Sequence, residues 1–170
     1  SGAIIYDLLT DLNVASNLYV KNAGTGDGST AHIYLQTAEA DIAADDVIGK
    51  INFQAPNEGT GTDAILVSAA IQAISEGDFS STSNATSLNF MTGASEAATT
   101  KMTLSSAGDL TLTSTTASSS STTGAVIVGG GLGVAADLFV GDDFDVAGDA
   151  VIDGTALVTG VLTTTAATVF

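Results

Sequence analysis

The stretch that decides the fold is a run of apolar residues repeated at six-residue spacing. It reads Val126-Ile-Val128, Leu132-Gly-Val134, Leu138-Phe-Val140, Phe144-Asp-Val146, Ala150-Val-Ile152, Ala156-Leu-Val158 and Leu162-Thr-Thr164. In an extended chain the first and third residues of each triplet point to one face. We call each triplet a hexad strand, and residues 124–170 the hexad segment. A three-residue strand cannot bury its apolar face alone, so the pattern predicts a stack that depends on neighbouring repeats or on other chains.

Three glycines recur in phase with the later hexad strands. Gly148, Gly154 and Gly160 each stand six residues apart. Glycine is the default residue where the backbone must turn tightly, so we expect a repeated bend that requires it.

Composition narrows the range of partners. The chain has 170 residues, a formal net charge of -16 and no cysteine. Such a charge repels phosphate backbones and anionic lipid, so nucleic-acid and membrane-surface binding are disfavoured. No apolar run approaches the roughly 20 residues of a membrane span, which argues against membrane insertion. Without cysteine there are no disulfides and no thiolate metal sites.

The N-terminal part, residues 1–22, contains two further hexad strands, Leu12-Asn-Val14 and Leu18-Tyr-Val20. Before them, apolar residues at positions 4, 5, 8, 9 and 12 allow either a short amphipathic helix or an irregular apolar segment. The sequence does not decide between the two.

The middle part, residues 23–113, changes to period-two alternation, which is typical of ordinary strands. Glycine-, aspartate- and asparagine-rich turns separate the alternating runs. For Ile65 to Ile74 a helix is an alternative, although strand is favoured. We therefore predict an antiparallel β-sheet domain. Its predicted strands are His32–Leu35, Val47–Phe53, Ala64–Ile71, Ser87–Met91, Lys101–Leu104 and Leu110–Leu112.

Residues 114–123 are almost entirely serine and threonine, with no apolar side chain larger than alanine. Such a segment cannot contribute to a core. We expect an extended, partly mobile linker between the sheet domain and the hexad segment.

The glycine-rich start of the hexad segment matches a dinucleotide-binding pattern without its context. Gly131-Leu-Gly-Val-Ala-Ala136 satisfies G-x-G-x-x-A. A helix should follow, but glycines at strand-like spacing follow instead, and too few residues remain for a nucleotide-binding fold. We predict no organic cofactor.

Acidic residues crowd one end of the predicted stack. Carboxylates on adjacent loops are ligands that Ca²⁺ prefers, so calcium is a weak candidate there. The spacing fits neither an EF-hand nor a calcium-binding β-roll, and a solvated acidic surface is the favoured interpretation. The candidate ligands are Asp142, Asp143, Asp145, Asp149 and Asp153.

Catalytic groups at recognisable spacing are absent from the sequence. His32 is the only histidine and lies in an alternating run, which favours a structural role over general-base catalysis. Asp45 and Asp46 are adjacent in a predicted loop, which is a solubility feature more often than a glycosidase pair. We predict a non-enzymatic protein without catalytic residues.

Two regions of the chain resemble virion fibre proteins of tailed phages. The first runs from Thr122 to Gly141 and is similar to the glycine- and valine-rich segments of their shafts. The second joins Ile48-Gly-Lys-Ile-Asn-Phe53 to Thr99-Thr-Lys-Met-Thr-Leu-Ser-Ser-Ala-Gly-Asp109, and resembles a small module between shaft segments. That module usually carries arginine where this chain has Lys50 and Lys101. The resemblance covers about two thirds of the chain.

The resemblance implies a mainly β homotrimer. Its shaft would be an intertwined β-helix or β-prism built on the six-residue repeat, with an antiparallel sheet domain in the middle. Its partners would be its own copies, other virion proteins and a glycan or protein of the host cell surface, and its place would be the virion, outside the cell. The trimer core would comprise Val126, Val128, Leu132, Val134, Leu138, Val140, Phe144, Val146, Ile152 and Val158.

Two alternatives remain at this stage. One is a filament or adhesin subunit on a cell surface, which composition does not exclude. The other is a single-chain left-handed β-helix enzyme such as an acyltransferase. The hexapeptide rule of that fold needs a small residue where Leu132, Leu138 and Phe144 stand, and the coils contain no histidine.

Overall fold

The computed structural model describes residues 17–161 and residue 163. Its regular structure is almost entirely one five-stranded antiparallel sheet, so the protein is mainly β, as predicted. The chain divides into two compact units, Ser1–Ile127 and Val128–Phe170. The sheet belongs to the first unit. Among the described residues no helix has the length and apolarity needed to cross a membrane.

The sheet is a simple meander in which each strand pairs with the next along the chain. A short 3-10 helix, Asp63–Ile65, precedes the second strand. Turns rich in glycine and polar residues join the strands because they tolerate the backbone conformations that a reversal needs. The strands are β1 (Val47–Gln54), β2 (Val67–Ser75), β3 (Thr86–Thr92), β4 (Thr99–Leu104) and β5 (Leu110–Leu112).

Five of the six strands predicted from alternation are therefore present. The helical alternative for Ile65 to Ile74 is wrong, because β2 occupies Val67–Ser75. The strand predicted at His32–Leu35 is also wrong, because these residues pair with no other strand. Instead the side chain of Leu35 lies on the sheet at Gly49, where an added Cβ would come within 2.9 Å of the Leu35 Cβ.

The register aligns side chains of one kind across all five strands. Ile51, Ile71, Phe90, Met102 and Leu112 lie opposite one another in successive pairs. The next row on the same face is Gly49, Ala73, Leu88, Leu104 and Leu110. Because neighbouring side chains of a strand point to opposite faces, this face of the sheet is apolar.

The opposite face is polar along its central row, although Ala70 and Met91 pair in the next row. Its central row is Lys50, Gln72, Asn89, Thr103 and Thr111. The Thr103 hydroxyl donates a hydrogen bond to the Asn89 side-chain oxygen at 2.8 Å, which links β4 to β3 on this face.

The loop before β1 is attached to the end of β2 through one buried serine. Ser75 is 1% exposed, and its hydroxyl donates to the Ala43 carbonyl and accepts from the Asp46 N–H. The Asp46 carboxylate in turn accepts the Ala43 N–H at 2.7 Å. Between them Asp45 has a φ of 70°, a left-handed conformation that aspartate tolerates better than most residues. This loop is therefore rigidly tied to the sheet.

Burial within one chain is the reverse of that in an ordinary globular domain. Among the described residues only one apolar side chain, that of Ala70, is buried. Three polar residues are buried as well: Ser75, Ser87 and Asn89. On the apolar face, Phe53 is 51% and Leu110 59% exposed. One chain thus encloses no hydrophobic core in its described part, although a sheet normally packs its apolar face against another layer.

Two of the predictions fall outside the described residues. The helix or apolar segment before residue 17 and the hexad strand Leu12-Asn-Val14 lie there. So do Leu162 and Thr164 of the last hexad strand.

Candidate functional site: the hexad segment

The backbone of the hexad segment itself has a six-residue period. It bends at residue pairs 129–130, 135–136, 141–142, 147–148 and 153–154, and again at residue 160. Each of the first five bends directly follows the third residue of a hexad strand. The repeat of apolar residues therefore coincides with a repeat of bends and of short segments between them.

The segments between these bends are unpaired. No backbone–backbone hydrogen bond joins two described residues from 124 to 161, and no strand is formed there. Backbone N–H and C=O groups need hydrogen-bond partners when water is removed. Among the described residues of one chain, the hexad strands supply none of these partners to one another.

The apolar residues of the hexad strands are also uncovered in one chain. Leu132 is 71% exposed and Phe144 69%, whereas Val140 and Val146 at the third position are about half-buried at 40% and 39%. The ten residues proposed for a trimer core are thus all available for contact. Their exposures lie between those of Val146 and Leu132: Val126, Val128, Leu132, Val134, Leu138, Val140, Phe144, Val146, Ile152 and Val158.

The middle residues of several hexad strands form a second exposed apolar set. Phe139 is 92%, Leu157 85% and Val151 82% exposed. In an extended chain these side chains point away from the first and third residues of their triplets. The hexad segment therefore presents apolar groups on two sides, which a single inward-facing layer does not account for.

The expectation that the bends require glycine is wrong. Gly148, Gly154 and Gly160 do not have positive φ, and no atom lies within 4 Å of a Cβ built on any of them. Moreover, Ala135 and Ala136 form a bend at the same phase. The bends thus use a backbone conformation open to other residues, and within one copy neither a left-handed φ nor crowding at the Cβ position requires glycine there.

The acidic residues are not assembled into a metal site within one copy. In the described part of the chain, no three histidine, cysteine, aspartate or glutamate side chains come close enough to hold a metal ion. Asp142, Asp143, Asp145, Asp149 and Asp153 are all exposed. Carboxylates from more than one copy would be needed to complete a calcium site there.

The other candidate groups have structural surroundings. His32 is exposed and stacks on Tyr34, with ring centroids 5.7 Å apart, as residues two apart on an extended chain allow. The Asp46 carboxylate accepts a backbone N–H, as described above, while Asp45 occupies a tight backbone turn. These contacts do not bring together a nucleophile, a base and an orienting group.

Two glutamates are held by hydrogen bonds in the sheet unit. Glu76, after β2, accepts the backbone N–H of Ser106 at 2.9 Å and its hydroxyl proton, and these bonds lower the pKa of the carboxyl. The pKa of Glu96 is lowered chiefly by the Ser95 N–H, with a smaller effect of Lys101 at 3.9 Å. The Glu76–Ser106 pair connects two turns at one end of the sheet.

The serine- and threonine-rich linker contains a turn. The Ser118 hydroxyl donates to the Thr123 carbonyl at 3.0 Å, and the Thr123 hydroxyl accepts the N–H groups of Ser119 and Ser120. Gly124 follows with a φ of 116°. The extended, partly mobile linker expected from composition is thus interrupted by a turn between residues 118 and 124, because hydroxyl side chains bond readily to nearby backbone.

The most extensive feature that sequence reasoning missed is the uncovered apolar face of the sheet. The alternation in each strand contained the signal, but only the register shows that the apolar residues align across five strands.

Comparison of the chain with protein families, with curated proteins and with solved structures found no match.

Proposed function

We propose that the protein is a homotrimeric fibre segment of a virus particle, non-enzymatic, which spaces or mediates attachment of the particle to the surface of its host. The observation that carries this proposal is the coincidence of three repeats in the hexad segment: apolar residues, backbone bends and unpaired segments between the bends. In the proposed assembly the hexad segment forms an intertwined β-helical shaft, and the protein acts on the virion, outside the cell.

The unpaired backbone supports an assembly of several chains. A single-chain β-helix pairs each coil with the next through backbone hydrogen bonds within the chain. No such bond joins described residues from 124 to 161. In an intertwined shaft these groups bond to other copies instead, and the exposed residues from Val126 to Val158 bury their side chains between the chains. The number three comes from the resemblance to phage fibres.

Contact with a host is assigned to the turns of the sheet domain. Residues 24–28, 59–61 and 78–84 are exposed, and most of their side chains are small or polar. Loops on a rigid scaffold are free to vary, whereas the hexad strands are constrained by packing. The partner that would bind to these turns is a glycan or a protein of the host surface.

The oligomeric state tests the proposal. Light scattering coupled to size-exclusion chromatography should give one species of about 50 kDa, three times the 16.7 kDa chain, because closed symmetry gives a defined mass. A clean monomer at micromolar concentration contradicts the proposal. Open-ended growth with concentration supports a filament subunit instead.

The absence of catalysis is tested separately. Incubation with bacterial polysaccharides should release no oligosaccharide, because hydrolysis needs two positioned carboxyl groups. Release of oligosaccharide would contradict a purely structural role.

A further inference from the structure

The apolar face of the sheet is long, continuous and uncharged. Two complete rows of five residues cross all strands, and Phe53 with Ala69 extends them at one end. We call this set the apolar sheet face. Its large side chains are Ile51, Phe53, Ile71, Leu88, Phe90, Met102, Leu104, Leu110 and Leu112.

We propose that the apolar sheet face is a second contact between copies of this chain, in which each copy packs the face against the same face of the other copies. The inference rests on the proposed homotrimer, since it assigns a further surface to the same assembly. It adds that the sheet domain, as well as the hexad segment, belongs to the interior of the oligomer.

Exposure shows that this face needs an occupant. Along β1, Ile51 is 46% and Phe53 51% exposed, and along β5 Leu110 is 59% and Leu112 41% exposed. Exposed apolar patches of this extent on soluble proteins mark interaction sites. Since one chain buries only Ala70 among its described apolar residues, the sheet has no other hydrophobic layer.

Charge favours a copy of the chain as that occupant. The formal net charge of -16 makes copies repel one another over most of their surface. No residue in the two apolar rows is charged, whereas the adjacent row on the opposite face begins with Lys50. The apolar sheet face is therefore a region where two copies can meet without placing like charges together. An anionic membrane, the other large apolar partner, would be repelled by the rest of the chain.

The shape of the face suits packing against an equivalent surface. Gly49 and Ala73 form the floor of a hollow of about 190 Å³, with Leu35, Ile51 and Leu88 among its walls. Apolar cavities of about 150 Å³ can hold a benzene ring. Large side chains such as Phe90 stand beside these small ones, so knobs on one copy have hollows to enter on another.

The hexad segment would hold the copies close enough for this contact. Leu112 ends β5 and Val126 begins the first hexad strand after the linker, so the connection reaches at most about 50 Å when fully extended. Copies joined through their hexad segments therefore keep their sheets at a high effective concentration. A weak preference of one apolar face for another is then enough to cover it.

The test uses the absence of cysteine, which makes every introduced thiol unique. Ile51→Cys and Asn52→Cys are made in the full chain. The two positions are neighbours on β1, both are exposed in one copy, and they lie on opposite faces. The oligomer mass of each purified variant is measured by light scattering. The rate at which a water-soluble maleimide modifies the thiol is then compared with the rate in denaturant.

In a trimer we expect the thiol of Ile51→Cys to react about tenfold or more slowly than that of Asn52→Cys, because a covered thiol reacts only when the contact opens. Leu112→Cys and Thr111→Cys form a second matched pair at the other edge of the sheet, and both positions are exposed in one copy. If a substitution in β1 prevents folding, this second pair tests whether the apolar face is covered in the trimer.

The outcomes separate the inference from the proposed function. A trimer in which the two thiols react at similar rates in both pairs overturns the apolar sheet contact and leaves the hexad trimer standing. A monomer overturns both. A trimer in which only the thiol on the apolar face is protected, in either pair, supports the inference.

Discussion

The sheet and the hexad segment differ in how the hydrogen-bonding groups of their backbones find partners. In the sheet, β1 to β5 satisfy one another within a single chain, and the register between β2 and β3 runs without a shift. From residue 124 to 161 the described backbone has no such bonds, although its extended segments repeat more regularly than the strands of the sheet. Local regularity and self-sufficiency are therefore separate properties of a β segment.

Strand length explains the difference. A strand of six to nine residues, such as those from β1 to β4, returns through a turn and gains several ladder bonds with its neighbour. A hexad strand offers only three residues before the next bend, so a hairpin of two of them would gain too few bonds to offset the ordering of its turn. Such strands are stable only as members of a larger stack.

The largest expected effect is the loss of the trimer when a charge is introduced into the hexad segment, a change that leaves the sheet untouched. Val146→Asp puts a carboxylate at a proposed inward position, and the hexad segment contains no lysine or arginine that could pair with it. Each uncompensated buried charge costs roughly 3–5 kcal/mol, so we expect loss of the trimer. Burial favours the neutral acid, so assembly should recover partly at pH 5 relative to pH 8.

The control is the opposite exchange, an aspartate replaced by valine, at the neighbouring position. Asp145→Val removes a charge from the outward position and should leave the trimer mass unchanged. Mass measurements on both variants at each pH decide the phase of the repeat. Equal tolerance of the two substitutions would show that the six-residue period does not build a shaft.

The second effect is confined to the sheet. Ser75→Ala removes a buried hydroxyl that bonds to Ala43 and Asp46, and leaves their backbone groups without that partner. We expect a loss of about 1–3 kcal/mol in the free energy of unfolding, because buried groups are costly to leave unsatisfied. Circular dichroism during denaturant unfolding measures the loss.

The matched variant on the same strand is Ser68→Ala. The Ser68 hydroxyl is exposed and donates to the Phe53 carbonyl at 3.1 Å, where water can replace it. Its removal should cost less than about 1 kcal/mol. If the two alanines were equally costly, burial of the Ser75 loop would not be what stabilises the start of β1.

The third prediction compares glycines of the two regions. Gly108 in the β4–β5 turn has a φ of 88°, so Gly108→Ala should destabilise the sheet by about 1 kcal/mol. Gly148→Ala should carry no such backbone cost, because Gly148 lacks a positive φ and has open space around its Cβ position in one copy. Thermal unfolding and trimer mass are measured for both. A loss of the trimer in Gly148→Ala alone would indicate that another copy approaches the backbone there.

The smallest effect is a pH dependence of the sheet. The hydrogen bonds from Ser106 lower the pKa of Glu76 below its ordinary value of 4.5. A carboxyl with a lowered folded-state pKa stabilises the fold above its unfolded pKa, and this contribution disappears as the pH falls through the folded pKa. Glu76→Gln should therefore be less stable than the natural chain at pH 6, with a difference that shrinks on acidification below 4.5.

Glu58→Gln serves as the comparison for this pH series. Glu58 is an exposed glutamate in the loop after β1, and its carboxylate bonds only to its own loop, at Gly59 and Thr60. Its substitution should lower the free energy of unfolding at pH 6 less than that of Glu76, which joins two separate turns. A difference at Glu76 that persists unchanged to pH 3 would exclude the carboxylate as its cause.

Local pattern was enough to predict much of the sheet. Alternation over Val47 to Phe53, Ser87 to Met91 and the two short strands after them reflects a property of each strand alone, and these strands are present. The same alternation at His32 to Leu35 was misleading, because pairing also requires a neighbouring strand. The register of the apolar and polar rows was equally inaccessible, since it depends on which residues of two strands stand opposite each other.

For the hexad segment the sequence by itself determined the period, and the backbone follows it residue for residue between 126 and 154. A spacing of apolar residues is a local property that an extended chain expresses directly. Only the tertiary structure decided that the bends use no left-handed glycine, that Ser75 is buried beneath a loop, and that the apolar rows of the sheet remain uncovered. The buried serine and the uncovered rows depend on contacts between residues far apart in the chain, and no local pattern encodes which distant group will be near. The bends are a local matter, since glycine permits a left-handed φ without requiring it.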